Sequence, residues 1–475
     1  MFKQYIGGQW CDAVAGGEWS VVNPADESII MQIPFGGAAD ARAALVAAKA
    51  ALDGWKAMNP YERAGILKRA AGIMRERAYE YGEKTVLESG KPLIEAAGEW
   101  IVAGNLFEWF AEEGKRSYGQ IIPAARNGKR QHVIYQPIGV VGIITAWNFP
   151  AYNTARVWAA ALAAGCTFVA KPSEFTPMTA HLMMAALEEA GLPAGCANLV
   201  IGDAPAIGEV FLDSPICRKI HFVGSTRVGR LLMDGASRTH TKLSLELGGN
   251  APVLVFPDVD VEKVAPSAVS AKFRNCGQVC ISPQRFLVHE AIYKRFVEIA
   301  TERTAALKWG NGLAVSSNVG PLINERQRGH VDDLVKRSIA HGARLMCGGK
   351  IPNSPEKGYF YQPTVLADVT PDNPIFKEEL FGPVMPITPF HTTEEAIALA
   401  NQTEYGLSAY IWTQNLSNAM QVAEAIEFGI VGVNEWAPQS VEAPFGGWKA
   451  SGIGAECGQD GLHEYLEQKL ISYGL

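Results

Sequence analysis

The sequence predicts an α/β protein centred on a doubly wound parallel sheet. Between residues 138 and 223, short apolar runs alternate with helix-length segments through four strand–helix steps, the pattern of a parallel sheet with helices on its faces. The runs are continuously apolar, as in Val140-Val141-Gly142-Ile143-Ile144-Thr145. Strands buried on both faces read this way, whereas half-exposed strands alternate apolar and polar residues. The chain has 475 residues, 48% hydrophobic and 19% charged, enough for two or three domains with a large core.

The elements follow in order. Residues 38–58 are Ala-rich and amphipathic and predict a helix. Pro60 opens the next helix, to about residue 80, at the position where its missing N–H costs nothing. A third long helix covers 91–113. Residues 119–136 hold two β-rich runs around Asn127-Gly128, a strong hairpin signal. The parallel strands are expected at 140–145, 166–170, 197–201 and 219–223, with helices at 153–164, 176–190 and 204–213. A second α/β segment starts with a strand at 251–256, followed by helices at 259–275 and 290–308. Residues 437–451, rich in Gly, Pro and Ser, read as a loop over an active site, and 463–475 end in an edge strand.

Several function classes are excluded by composition. The formal net charge is −7 and no basic block occurs, so nucleic acid is not an expected partner. No stretch approaches 18 uninterrupted apolar residues, so no membrane span is expected, and the first residues lack the apolar core of a signal peptide. Eight scattered cysteines suit free thiols in a reducing, cytoplasmic compartment. Cys276 and Cys280 lack a neighbouring His or Cys cluster, so no metal is expected.

Cys280 is the most informative residue. It stands in Gly277-Gln278-Val279-Cys280-Ile281-Ser282-Pro283, which reads as a loop, not a helix face. Upstream, Glu246 ends a predicted strand and is followed by Leu247-Gly248-Gly249-Asn250, where two glycines let backbone approach closely. A thiol and a carboxylate so placed suggest a nucleophile and a general base. Other strand ends deliver Trp147-Asn148-Phe149-Pro150, Lys171-Pro172-Ser173-Glu174 and Gly224-Ser225-Thr226, where an open α/β sheet holds a nucleotide. The spaced glycines of the usual dinucleotide fingerprint are absent. The pair Gly224 and Gly229 is equally explained by close packing of a helix on the sheet.

These runs, together with Glu379-Leu380-Phe381-Gly382-Pro383, resemble the aldehyde dehydrogenase superfamily in motif and order over essentially the whole chain, and succinate-semialdehyde dehydrogenases in particular. The resemblance implies a nucleotide-binding domain (1–117 and 138–246), an α/β catalytic domain (247–445), and an oligomerisation element (118–137 and 446–475) that joins homodimers or homotetramers. It implies Cys280 as nucleophile, the Asn148 amide and the Cys280 N–H as oxyanion donors, and Glu246 as the base that activates water against a thioester. NAD is the expected cofactor. Lys171, Ser173 and Glu174 would meet the adenosine ribose, Gly224 and Ser225 the pyrophosphate, and Trp147, Asn148, Leu247, Glu379 and Phe381 the nicotinamide end. A carboxylate at Glu174 would repel a 2′-phosphate and so favour NAD over NADP.

The implied substrate is a small anionic aldehyde, with Arg156, Arg274 and Ser440 holding its anion. Arg156 follows Asn148 by eight residues, about 12 Å along a helix, so its side chain has to reach back; pairing of either arginine with an internal acid is the competing account. Succinate semialdehyde leads, beside glutarate semialdehyde, 2-oxoglutarate semialdehyde and sulfolactaldehyde. Thioester transfer to coenzyme A conflicts with a water-activating Glu246, and a catalytically silent binding protein conflicts with the presence of all three catalytic types. Three residues depart from the expected pattern. Trp436 and Pro438 should enlarge and stiffen the 437–451 loop, and Ser282 replaces a cysteine that some members carry, which leaves only the unfavourably placed Cys276 as a disulfide partner.

Overall fold

The computed structural model describes residues 2–475. Two parallel-rich sheets organise the chain, each over its own buried apolar cluster. The first has eight strands. Its parallel centre runs Ala197–Leu199, Thr167–Lys171, Val140–Ile144, Cys217–Val223, Lys242–Glu246, and it is flanked by antiparallel Gln4–Ile6 and Gly452–Ile453. All five residues of Val140–Ile144 are buried, as a strand covered on both faces requires. Strand order reverses between Val140–Ile144 and Cys217–Val223, so a crevice opens beyond their carboxyl ends. Asn148 follows the first of these strands and Gly224-Ser225 the second.

The second sheet has seven strands, ordered Arg344–Cys347, Thr364–Ala367, Val384–Phe390, Pro283–His289, Ala251–Val255, Ser408–Trp412, Ile430–Val433; only the first is antiparallel to its neighbour. A third, three-stranded sheet joins Gln120–Ile122, Lys129–Pro137 and the terminal Leu466–Gly474. Gly128, at φ +70°, supplies the left-handed turn residue of the expected hairpin.

The predicted helices lie at Ala38–Ala57, Pro60–Glu76, Leu93–Glu113, Pro150–Ala164, Pro177–Glu189, Ala204–Asp213, Val261–Phe273 and Glu290–Ala305. The segment expected to stop near 80 instead breaks at Arg77 and resumes as Ala78–Ser89, closed by Gly90 in the left-handed conformation. The next helix starts only after Pro92, because proline disfavours helical backbone at the residue before it. The final segment is a short helix, Gly458–His463, and then a strand that pairs along its whole length with Lys129–Pro137. Among the described residues no helix is long and apolar enough to cross a membrane, and no group of three His, Cys, Asp or Glu side chains could hold a metal.

Candidate active site

The loop that carries Cys280 ties the two sheets together. Helix Val261–Phe273 and strand Pro283–His289 belong to the second sheet's layers, but Val279 and Ile281 are buried in the first sheet's core. Cys280 lies between these two apolar anchors, so its position is set from the side of the first sheet. Asn275 and Cys276 enter the loop at φ +47° and +57°, backbone that non-glycine residues rarely adopt. Glu95 accepts the Asn275 N–H at 2.9 Å, and Gln278 accepts the Ile323 N–H at 2.9 Å, which brace the turn. On the opposite wall, a Cβ at Gly249 would fall 2.5 Å from the Cys280 carbonyl oxygen. Only glycine lets that backbone come so near.

Cys280, Glu246 and Asn148 line one cleft of about 260 Å³ at the strand-order reversal. Asn148 is held from three sides. Its carbonyl accepts from Lys91 Nζ at 2.7 Å and Asn275 Nδ2 at 2.8 Å, and its Oδ1 accepts from Asn153 Nδ2 at 3.1 Å. Its own Nδ2 donates to the Gln278 carbonyl at 3.2 Å, and an amide nitrogen has a second proton to offer. Glu246 ends strand Lys242–Glu246 and is buried; burial pushes its carboxyl up to about 7, against the lowering pull of Arg156. Burial and the adjoining Glu246 charge raise the Cys280 thiol well above its ordinary value.

The same cleft is lined by Trp147, Gly224, Ser225, Leu247, Glu379 and Phe381. Glu379 accepts the Gly249 N–H at 2.9 Å, and burial lifts it to about 7. Trp147 and Phe381 meet edge to face with centroids 5.5 Å apart. A Cβ on Gly248 would approach a Glu379 oxygen at 2.6 Å, so the cleft floor is kept open by glycine. Gly229 does what the alternative account required: a Cβ there would press on the Leu247 side chain at 2.7 Å, so it serves helix packing. Lys171, Ser173 and Glu174 lie outside this cleft's lining, at the neighbouring strand end, with Lys171 Nζ 2.7 Å from Glu174. The floor and the residues at both strand ends fit a dinucleotide laid across the reversal point.

Cys280 also lines a second cleft, of about 470 Å³, with Arg274, Ser440, Tyr152 and Phe445. Among the described residues Arg274 makes no salt bridge; it lies over the Phe149 ring at 5.0 Å, with Glu95 and Lys91 nearby. Arg156 is part of the wall, but its side chain is 0% exposed. Its Nε lies 2.5 Å from Glu456, its Nη2 3.7 Å from Glu246, and its plane is sandwiched between Tyr152 and Phe445. This is the internal ion pair that competed with direct contact to substrate. A buried guanidinium stays charged, and an acid partner offsets part of the cost of taking that charge out of water. Glu456 sits in Gly454-Ala455-Glu456-Cys457, which carried no chemical signal in the sequence, and only the return of the chain past the first sheet brings it to Arg156. Arg326, Gln327 and His330, also on the first cleft's wall, were missed for the same reason.

The departures find places too. Trp436 packs away from the cleft, its Nε1 on Ser267 Oγ at 2.9 Å and its ring against Trp412 and Tyr410. Gln439 through Glu442 and Phe445 line the second cleft, as expected of an active-site loop. Ser282 accepts from the buried Lys272 amine at 3.3 Å, and burial lowers that amine to about 7. Cys276 is buried in the second sheet's core while Cys280 packs on the first, and all eight cysteines are free.

Residues 10–471 match the aldehyde dehydrogenase family. The chain is 44% identical over 477 residues to the NADP+-dependent succinate-semialdehyde dehydrogenase GabD of Escherichia coli, covering 100% of this chain and 98% of that one. It is 41% identical over 473 residues to the glutarate-semialdehyde dehydrogenase of Pseudomonas putida, covering 99% and 98%. The crystal structure of succinate-semialdehyde dehydrogenase from Burkholderia pseudomallei superposes with a TM-score of 0.98 at 42% identity, covering 100% of this chain and 98% of that one.

Proposed function

The chain belongs to the aldehyde dehydrogenase family, and on that premise we propose that it oxidises a short anionic aldehyde, succinate semialdehyde first, to the carboxylate with NAD. The carrying observation is that Cys280 lines both clefts at once, the crevice at the strand-order reversal and a pocket bearing Arg274 and Ser440. In that crevice a bound dinucleotide supplies hydride acceptance. The chain's residues do the rest. Cys280 loses its proton to water and attacks the carbonyl carbon as the thiolate. The Asn148 amide and the Cys280 N–H donate to the oxygen that becomes charged. After oxidation the acyl group is a Cys280 thioester, and Glu246 takes a proton from the water that hydrolyses it.

Arg274 and Ser440 are assigned to the substrate anion, and Arg156 contributes its charge through the wall, from behind Tyr152 and Phe445. Glutarate semialdehyde, 2-oxoglutarate semialdehyde and sulfolactaldehyde present the same anion at other distances. The NAD preference rests on Glu174, whose carboxylate occupies Lys171 and disfavours a 2′-phosphate; the relatedness to an NADP+-dependent enzyme makes this the point to test. We divide the chain into the nucleotide, catalytic and oligomerisation parts at 1–117 with 138–246, 247–445, and 118–137 with 446–475. Homodimers or homotetramers are supported by the exposed Ile121 and Leu470 on the three-stranded sheet, and a cytoplasmic location by eight unpaired thiols. A kinetic panel of the four anionic aldehydes against neutral ones of equal length, with Cys280→Ala as control, tests the reading. The expected result is turnover of the anionic set and none above about one per cent in the variant, with NAD binding intact. Preference for neutral aldehydes would refute it.

A further inference from the structure

Behind the general base lies a buried polar chain that the reaction as described does not use. From Glu246 it passes to Arg156 (3.7 Å), to Glu456 (2.5 Å), to His221 Nε2 (2.5 Å), and from His221 Nδ1 to the Tyr465 hydroxyl (2.7 Å). His221 lies mid-strand in the first sheet and is 1% exposed. Tyr465 directly precedes the terminal strand Leu466–Gly474, and its carbonyl accepts the Ile138 N–H at 2.9 Å. On its own face of the sheet His221 has Lys219 and Val223 along the strand and Ile143 and Ser244 across from it.

Hydrogen-bond capacity determines the tautomer. Arg156 and His221 together hold Glu456 below the usual carboxylate range although burial alone would raise it. An ionised Glu456 only accepts, so His221 Nε2 carries the proton. Burial lowers the His221 ring below its ordinary value, so it stays neutral and Nδ1 accepts from the Tyr465 O–H. The other charged or titratable groups facing this ring are Lys219, paired with Glu464 at 2.9 Å, and Arg156 itself.

We propose that His221 is a positioning residue for the general base: its Nε2–H keeps Glu456 ionised, and the Arg156 charge is thereby divided between Glu456 and Glu246. This rests on Glu246 being the base assigned above. Two anions share one guanidinium. If Glu456 became neutral, the whole Arg156 charge would bear on Glu246, and the repulsion from Glu456 would vanish. Both changes favour ionised Glu246 and make it a weaker base.

The test is the pH profile of deacylation in three variants of the full-length enzyme. In His221→Leu the acid limb of kcat moves to lower pH by at least about half a unit, and the alkaline plateau falls. In His221→Gln, whose amide restores the donor to Glu456, the limb stays where the wild type has it. A merely structural role would lower rates at every pH without moving the limb. A folded His221→Leu enzyme with an unmoved limb, or a His221→Gln enzyme displaced as far as His221→Leu, overturns the inference. Should His221→Leu not fold, nitrogen-15 NMR of the wild-type imidazole decides, with the His221 signal identified by its loss in His221→Gln. A neutral ring protonated at Nε2 supports the proposal, and protonation at Nδ1 overturns it. Glu246→Gln separates the two assignments. A limb that survives there overturns the base assignment itself, whereas a limb lost there yet unmoved in His221→Leu overturns only the role of His221.

Discussion

Replacing Glu246 with Gln keeps the size and hydrogen-bonding reach of the side chain and removes its ability to take a proton. Burial places the wild-type carboxyl at about 7, with Arg156 opposing the rise and Glu456 adding to it. The group works as a base when ionised, so activity is present above that value and lost as pH falls through it. The ionised fraction drops about tenfold per unit below pH 6 and is nearly complete by pH 9, so the wild-type deacylation rate should trace a single acid limb centred near neutrality. General-base help is worth about 10²- to 10⁴-fold, so kcat in the variant should fall by that factor and lose the limb. Stopped-flow NADH formation separates the steps. If hydride transfer precedes the step needing Glu246, a burst near one equivalent per site persists while the steady state slows. Loss of the burst would move Glu246 to thiol deprotonation, and an unchanged limb would remove it from the chemistry.

Arg274→Ala should raise KM for succinate semialdehyde by roughly 10- to 150-fold, the worth of one charge-assisted hydrogen bond, and leave butanal unchanged; equal losses on both would mean the residue only braces the loop. Glu174→Ala frees Lys171 from its 2.7 Å pair and removes a carboxylate from the ribose site. Steady-state kinetics with both cofactors should show KM for NADP falling at least about tenfold, and no change would detach Glu174 from cofactor choice. Gly249→Ala puts a methyl 2.5 Å from the Cys280 carbonyl oxygen. The loop must shift, about 1 Å of misplacement costs on the order of 10²-fold, and calorimetric NAD binding should change far less than kcat.

What the chain declares in one dimension is whatever depends on local rules. Buried parallel strands read as apolar runs, the turn of the hairpin reads as Asn127-Gly128, and groups at strand ends are placed by the alternation of strand and helix. Cys280, Glu246 and Asn148 were legible because each ends a strand or stands in a glycine-flanked loop, where backbone geometry is specified nearby. The roles given to them came from resemblance as well as from residue chemistry. The partnership of Arg156 with Glu456, 300 residues apart, was not legible, because nothing local signals which acid a buried guanidinium will meet. The same holds for His221 and Tyr465, which read as ordinary strand residues until the terminal segment folds back on the first sheet. Helix and strand propensities act over a few residues, and a buried charge is compensated by whatever the tertiary fold brings beside it. Long-range packing therefore decided the electrostatic setting of Glu246, the placement of Cys280 between the two clefts, and the withdrawal of Arg156 into the wall.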